Sequence, residues 1–460
     1  MSSQSRPRVA VVSDFTLATL GGAEAAYREQ VRALAGEYEV LALCPGSDEL
    51  DELGRLDHVS AVALPVIFRV PGLGFPVARN SASLRAVIER ALTEHAIEVV
   101  HLHSEFGIGA ATHQVAAARG IPVVQTVHCW LQTHWPIQPL LAVGAPLFHR
   151  WATGLRQPTG TFAERRGDSA LRAMTVAVAE QATRIVSPSS HLAADLTAAG
   201  LGPVDVIPNA QAVPPSGEPL SSVEGPLGVF WFGRCVGEKR LIPFTESVLE
   251  AIAELGPGRL RVDIAGDGEH LPRARSLAAG VDDVHFHGRI DHHRVLDELA
   301  RCHVTALTSV GFDNQPMMVV ESISALRGVI HTDPRLREGL DSGAGLLAAG
   351  DESALTELLV RLANDPQPVI EASRAAVGAR EEFSAATFVR RADAAYAAAI
   401  EAATNTSAAT DCNFPHGSAD TGETPTDLPP DPPGRTDTGT VRVRTNQHRV
   451  DRIVPEGAER

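Results

Sequence analysis

The sequence predicts an α/β protein built from two doubly wound parallel sheets, and three observations predict it. Apolar runs of strand length alternate with amphipathic stretches of helix length from residue 8 to about residue 207. The same alternation starts afresh at residue 227 and continues to about residue 363. Between them AQAVPPSGEPLSSVEGP, residues 210–226, has the Pro, Ser and Gly content of a linker. At 460 residues the chain also exceeds what one hydrophobic core usually organises, so two domains, 1–209 and 227–384, are expected.

Composition narrows the function. The hydrophobic share of 44% and charged share of 21% are ordinary for a soluble globular protein. A net charge of −16 opposes a nucleic-acid partner, which needs a basic face. The five cysteines, Cys44, Cys129, Cys235, Cys302 and Cys412, are odd in number and widely spaced, which suits a reducing cytosol and neither a disulfide framework nor a zinc site. The start, MSSQSRPRVAVVSDF, lacks the apolar core of a signal peptide. No uninterrupted apolar run reaches the ~18 residues of a spanning helix. A cytoplasmic protein is expected, with peripheral contact at the inner face of a membrane left open.

In the first half, residues 9–13 are a buried strand, Gly21, Gly22, Ala23 and Glu24 open a helix to about residue 35, and 39–44 is the next strand. Leu84, Val87, Ile88, Ala91 and Leu92 place residues 81–95 on an amphipathic helix. EVVHLH (98–103) and IPVVQTV (121–127) are strands, with a helix at 110–119 between them. Residues 129–173 form an insertion enriched in aromatic and basic residues, among them Trp130, His134, Trp135, Arg150 and Trp151. It reads as a helical lid, or as an acceptor-binding or membrane-touching surface. A helix at 175–182, a strand at 184–188, a helix from Ser190 and a strand at 204–207 close this half.

The second half gives strands at 227–232, 260–265, 284–287, 304–308 and 329–331, with helices at 242–255, 271–279, 291–301, 317–326 and 352–363. A last helix covers 385–402. From 403 to 460 apolar residues nearly vanish, and a disordered tail is expected.

Ligands of parallel sheets lie at the C-terminal strand edge. There GFDNQPMMVVE, residues 311–321, leads from a strand into a helix with Pro316 at its first position. Free amides and the helix dipole make such a turn a phosphate site. Asp313 and Glu321 flank it and suit sugar hydroxyls; an ordinary turn with one solvated acid fits the same residues. In GRCVGEK, Arg234 and Lys239 could hold a diphosphate and stabilise the charge growing on a leaving group, or could be a solvated basic loop. Gly21 and Gly22 either let backbone approach a phosphate or form a plain turn. His128, just after a strand, reaches toward the crevice between the halves or is structural. His101 and His103 share one strand face and read as packing or supporting residues. AGDGEHL, residues 265–271, lacks the third glycine of a dinucleotide fingerprint and reads as a tight turn. No GxxxxGK[ST], HExxH or GxSxG is present, which removes NTPase, zincin and α/β-hydrolase readings.

Taken together and in this order, GGAE (21–24), VHLHS (100–104), PVVQTVH (122–128), VSPSSHL (186–192), VIPNA (206–210), GRCVGEK (233–239), IAGDGE (264–269), HFHGRI (285–290) and DNQPMMVVES (313–322) resemble the retaining glycosyltransferases of family 4, with the GT-B fold. The resemblance covers about residues 8–400. It implies transfer of a sugar from a nucleotide diphosphate sugar to an acceptor hydroxyl, keeping the anomeric configuration, with no cofactor and no obligatory metal. A UDP- or GDP-linked donor is expected ahead of an ADP-linked one. By resemblance, Arg234 and Lys239 bind the donor diphosphate and assist its departure, while Gly21, Gly22, Asn314, Gln315, Pro316 and Met317 complete the cradle. Asp313 holds sugar hydroxyls, Glu321 the ribose, and His128 lies near the transferred sugar and acceptor. The helix 385–402 corresponds to the family's crossover helix. The acceptor, whether lipid, saccharide or small-molecule aglycone, is expected against 65–78 and the 129–173 insertion. Nucleotide-sugar 2-epimerases and sugar phosphorylases share the scaffold, and a catalytically silent partner subunit is a further alternative. Three positions depart from the family pattern: Asp313 replaces the usual glutamate, Ala210 replaces a glycine and is strained if φ is positive, and DPRLREG (333–339) replaces a glycine-containing loop.

Overall fold

Alternate residues of the first strand serve opposite layers of the molecule. In the computed structural model, which describes residues 6–18, 21–70, 75–132, 138–212, 215, 217–350 and 352–411, β1 (Arg8–Ser13) is an interior strand of the first sheet. Val9 and Val11 enter one apolar cluster, and Ala10 and Val12 another on the opposite face. This two-sided burial is why the strand is a continuous apolar run.

The chain continues through α1 (Gly22–Leu34), β2 (Glu39–Pro45), α2 (Asp48–Leu53), β3 (Val59–Leu64), the two-residue strands β4 (Phe68–Arg69) and β5 (Pro76–Val77), α3 (Ala82–Glu94), β6 (Val99–His103), α4 (Gly107–Arg119) and β7 (Val123–Thr126). Then come α5 (Gln138–Thr153), α6 (Arg166–Ala179), β8 (Arg184–Ser187), α7 (Ser190–Ala198) and β9 (Val204–Val206). The resulting seven-stranded sheet has the order β3-β2-β1-β6-β7-β8-β9, while β4 and β5 form a separate antiparallel ribbon.

The second sheet holds β10 (Leu227–Phe232), β11 (Leu260–Ala265), β12 (Val284–Gly288), β13 (Val304–Leu307), β14 (Gly328–His331) and β15 (Gly345–Leu347), ordered β12-β11-β10-β13-β14-β15. Its helices are α8 (Leu241–Leu255), α9 (Leu271–Leu277), α10 (His292–Arg301), α11 (Met317–Ser324), α12 (Glu352–Asn364) and α13 (Gln367–Ala379). Every recorded strand pair in both large sheets is parallel. The architecture is thus two Rossmann-like halves, as expected.

The last helix, α14 (Ala385–Asp411), returns to the first half. Phe388, Val389, Ala392, Tyr396 and Ala399 pack in the same cluster as Val9, Val11, Tyr27 and Val31. The Tyr38 hydroxyl donates to the Asp393 carboxylate. The helix extends to Asp411, past the expected end at 402, so the 403–411 part of the expected tail is helical. Residues 412–460, like His134, Trp135 and part of the linker, lie outside the described residues.

Other differences have local causes. Pro316 is the N-cap of α11, with φ −72 and ψ 126, and Met317 is the first helical residue. α6 begins at Arg166 because its first turn is polar and its apolar face starts later. α2 is only six residues long and is held by Ser47, whose side chain accepts from the Leu50 N–H. Non-glycine residues with positive φ are His58, Ala96, Arg240 and Leu326 among those described, so Ala210 is not strained. It is buried, and the next residue, Gln211, donates its N–H to Phe383 O at 2.8 Å.

Candidate active site

β10 and β13 are parallel neighbours, so their C-terminal ends open side by side. Beyond β10, GRCVGEK ends in one 3-10 turn, Gly237–Lys239; beyond β13, Thr308 and Ser309 lead into Asp313. The Trp231 indole N–H donates to Thr308 Oγ1 at 3.1 Å, and Thr308 Oγ1 donates to Lys239 O at 2.8 Å, locking the two loops together. Lys239 Nζ then lies 2.6 Å from Asp313 Oδ1 and 2.8 Å from Oδ2, with both side chains more than four-fifths buried. Ser309 Oγ donates to the same carboxylate. Arg234 stands exposed nearby on the same loop, with no ion pair among the described residues.

This loop has a backing that sequence reasoning read only as a tight turn. Gly233 N–H donates to Ala265 O, Cys235 N–H to Asp267 O, and His270 N–H to Cys235 O, at 3.1, 2.9 and 2.9 Å. Gly266 and Gly268 have φ of 145° and 150°, and an added Cβ would fall 1.9 Å from Gly233 O and 2.5 Å from Cys235 O respectively. The glycines are there so that backbone can touch backbone.

The first half supplies the facing wall. Ala25 and Ala26, in the first turns of α1, pack in one cluster with Met317 and Met318 at the start of α11, so two helix N-termini meet across the crevice. A Cβ on Gly22 would meet open space, whereas Gly21 is covered by the Glu24 carboxylate. Asn314 Nδ2 donates to His128 O at 2.6 Å, and Asn209 N–H donates to Gln315 Oε1 at 2.6 Å. Gln315 Nε2 is buried with no hydrogen-bond partner among the described residues. Glu321, one turn into α11, has its carboxyl pushed up to about 8 by burial, with Glu29 adding to the rise and Arg28 opposing it.

His128 belongs to a column of imidazoles. Its Nε2 is 2.6 Å from His103 Nδ1, and both ring pairs, His128–His103 and His103–His101, stack at 4.9 Å. His101 is fixed by Thr126 at 2.6 Å and by Tyr396 and Gln30, each at 2.7 Å. Burial lowers His128 to about 4 and His101 to about 3, so both rings are neutral near pH 7. His103 Nε2 is buried without a hydrogen-bond partner among the described residues. Hydrogen-bond accounting places the His103 proton on Nδ1, because a bare buried lone pair costs less than an orphaned N–H. His128 Nε2 is then the acceptor, and its own proton is on Nδ1.

Arg172 and Asp195, which sequence reasoning did not single out, complete the walls beside residues that it did. Trp130, Arg172 and Asp195 from the first half and Asp313, Asp333 and Arg335 from the second line one cleft. Arg335 donates to Asp195 at 2.6 Å and Ser190 N–H to Glu338 Oε1 at 2.7 Å, so the departing loop DPRLREG clasps α7 across the crevice. Asp333 accepts from Gly311 N–H at 2.7 Å and holds the start of the Asp313 turn. Glu105 is buried, accepts from Cys129 N–H and Thr175 Oγ1 at 3.3 Å each, and is pushed to about 8 by burial. Among the described residues, Asp263, His287 and Glu298 form the one group with metal-ligand spacing. Arg261, Arg294 and Arg301 already occupy its carboxylates, which disfavours a cation there.

Residues 20–210, which carry the helix N-terminus at Gly22, His128 and α7, match the family model Glycosyltransferase Family 4. The first domain is that of a family-4 glycosyltransferase. Solved structures similar to the chain as a whole include the Anabaena protein Alr3699/HepE in complex with UDP, at 15% identity and a TM-score of 0.60, covering 84% of this chain and 98% of that one. A glycosyltransferase from Rickettsia africae matches at 11% identity and TM-score 0.59, covering 86% and 99%. AviGT4, involved in avilamycin A biosynthesis, matches at 16% and 0.52, covering 86% and 98%. These likenesses establish the GT-B fold. A comparison with curated proteins finds no match. Among the described residues, no helix is long and apolar enough to cross a membrane.

Proposed function

We propose that the protein transfers a sugar from a nucleotide diphosphate sugar to an acceptor hydroxyl with retention of anomeric configuration. The observation that carries this reading is the Lys239–Asp313 pair at the sheet edge, facing two helix N-termini and His128. Arg234 and Lys239 bind the diphosphate, with the amides at Gln315 to Met317 and Gly22 on either side. Asp313 accepts hydrogen bonds from sugar hydroxyls, Glu321 from the ribose, and Asn314 and Pro316 hold the turn in place.

As the glycosidic C–O bond breaks, charge accumulates on the departing diphosphate, where the two cations stabilise it without a metal. The acceptor oxygen forms the new bond and its proton passes to the departing phosphate oxygen. His128, neutral and protonated on Nδ1, acts as a donor to the sugar or acceptor and not as the base. Closure of the clasp between Arg335 and Asp195 excludes water from the donor. UDP is the favoured nucleotide, because Alr3699/HepE was solved with UDP and with UDP-glucose.

Calorimetry with UDP, GDP and ADP on the intact protein and on Arg234→Ala tests the reading. Binding of one nucleotide, weakened at least about tenfold in the variant by loss of a charge-assisted contact, is expected. No binding of any nucleotide to the intact protein would point to a catalytically silent subunit.

A further inference from the structure

One face of the first half is apolar and uncovered. On α5, Leu140, Val143, Leu147 and Trp151 are 67%, 64%, 65% and 39% exposed. They are spaced three, four and four residues apart and form a single stripe, while Ala145, His149 and Ala152 on the opposite side are buried. The β4–β5 ribbon adds Ile67 and Phe68, 57% and 47% exposed. Ribbon and helix are fastened at one end: Asn80 N–H donates to Ala152 O at 2.7 Å, and the Arg79 guanidinium lies 5.8 Å from the Trp151 ring centre.

Charge distinguishes this face from the rest of the surface. The chain carries 56 acidic residues and a net charge of −16, yet no Asp or Glu occurs between Asp57 and Glu89 or between Glu105 and Glu164. Those two segments contain the ribbon and α5. Exposed Arg79 lies against Trp151, and exposed Arg150 and Arg69 directly precede Trp151 and follow Phe68 in the chain. A self-association through a two-fold axis would set this acid-free, arginine-edged face against itself, with no opposite charge to meet.

We propose that this face docks on an anionic lipid bilayer, with α5 lying in the interface plane, its stripe inserted among acyl chains and the arginines at the headgroups. Because the stripe is on the protein's outside and contains none of the nucleotide-site residues, docking and donor binding are separable.

The full chain is tested by cosedimentation with phosphatidylcholine vesicles with and without phosphatidylglycerol, and by quenching of tryptophan fluorescence with brominated lipid. Binding is expected to need the anionic lipid, to weaken with salt, and to fall at least about tenfold in Leu147→Glu and in the double variant Arg79→Glu/Arg150→Glu. Unchanged thermal melts and unchanged UDP binding in Leu147→Glu verify that the fold is intact. Three results overturn the proposal: no binding to anionic vesicles at low salt, binding that Leu147→Glu leaves untouched, or a dimer in sedimentation velocity that Leu147→Glu dissolves.

Discussion

The Lys239 ammonium and the Asp313 carboxylate, 2.6 Å apart, neutralise each other at the sheet edge. In the proposed binding mode a donor diphosphate shares Lys239 with Asp313. Asp313→Asn should strengthen binding of UDP alone by freeing the cation, while transfer falls at least about tenfold through loss of the charged acceptor for sugar hydroxyls. Lys239→Ala should weaken both. Calorimetry and a transfer assay separate the two; UDP binding weakened by Asp313→Asn would contradict the pairing argument.

Glu321 gives the clearest pH dependence. Its folded carboxyl titrates at about 8 against an ordinary 4.5. The neutral form is favoured in the fold, so its contribution to stability is complete below 4.5 and is lost as pH rises through about 8. Glu321→Gln, which cannot ionise, should lose less stability across that window, read as thermal midpoints in a pH series. Parallel curves for the two proteins would remove burial as the cause.

Gly266→Ala should disturb the Arg234 loop without touching ligand. The positive φ alone costs about 1–3 kcal/mol, and the contact with Gly233 O must be relieved by moving that loop. Denaturant melts should show the loss of stability, and nucleotide affinity should fall with it. A variant with native stability and native affinity would show that the two turns do not depend on each other.

Arg335 and Asp195 are half and one-third exposed, so the pair adds under about 1 kcal/mol to overall stability. In the proposed mechanism its effect belongs to closure. Arg335→Ala should leave the melting curve nearly unchanged and lower kcat/KM, and a double-mutant cycle with Asp195→Ala should show the coupling in kcat/KM. Additive effects would dissociate the clasp from turnover.

The legible parts of this protein are those encoded locally. β1 and β10 are nearly continuous apolar runs because parallel strands are covered on both faces, and the residues just past β7, β10 and β13 could be named as site candidates from that alone. α13, with small residues and a proline second in its sequence, gives a weak periodic signal, and three-residue β15 gives none. Contacts across the crevice were out of reach. Asn314 to His128 O, Asn209 N–H to Gln315 and Arg335 to Asp195 join distant segments whose spacing carries no pattern. His103 was seen as a supporting residue, but its hold on the His128 tautomer depends on an unpartnered buried nitrogen that only coordinates reveal.

The return of α14 makes the first domain discontinuous in the chain. Strands β1 to β9 are complete by Val206, but the layer bearing Phe388 and Tyr396 is synthesised only after the whole second domain. On the ribosome the nascent first sheet therefore waits with part of one face bare for about 180 residues of further synthesis, the distance from Val206 to Ala385 (385 − 206 = 179). A circular permutant that begins at Ala385 would supply that layer first.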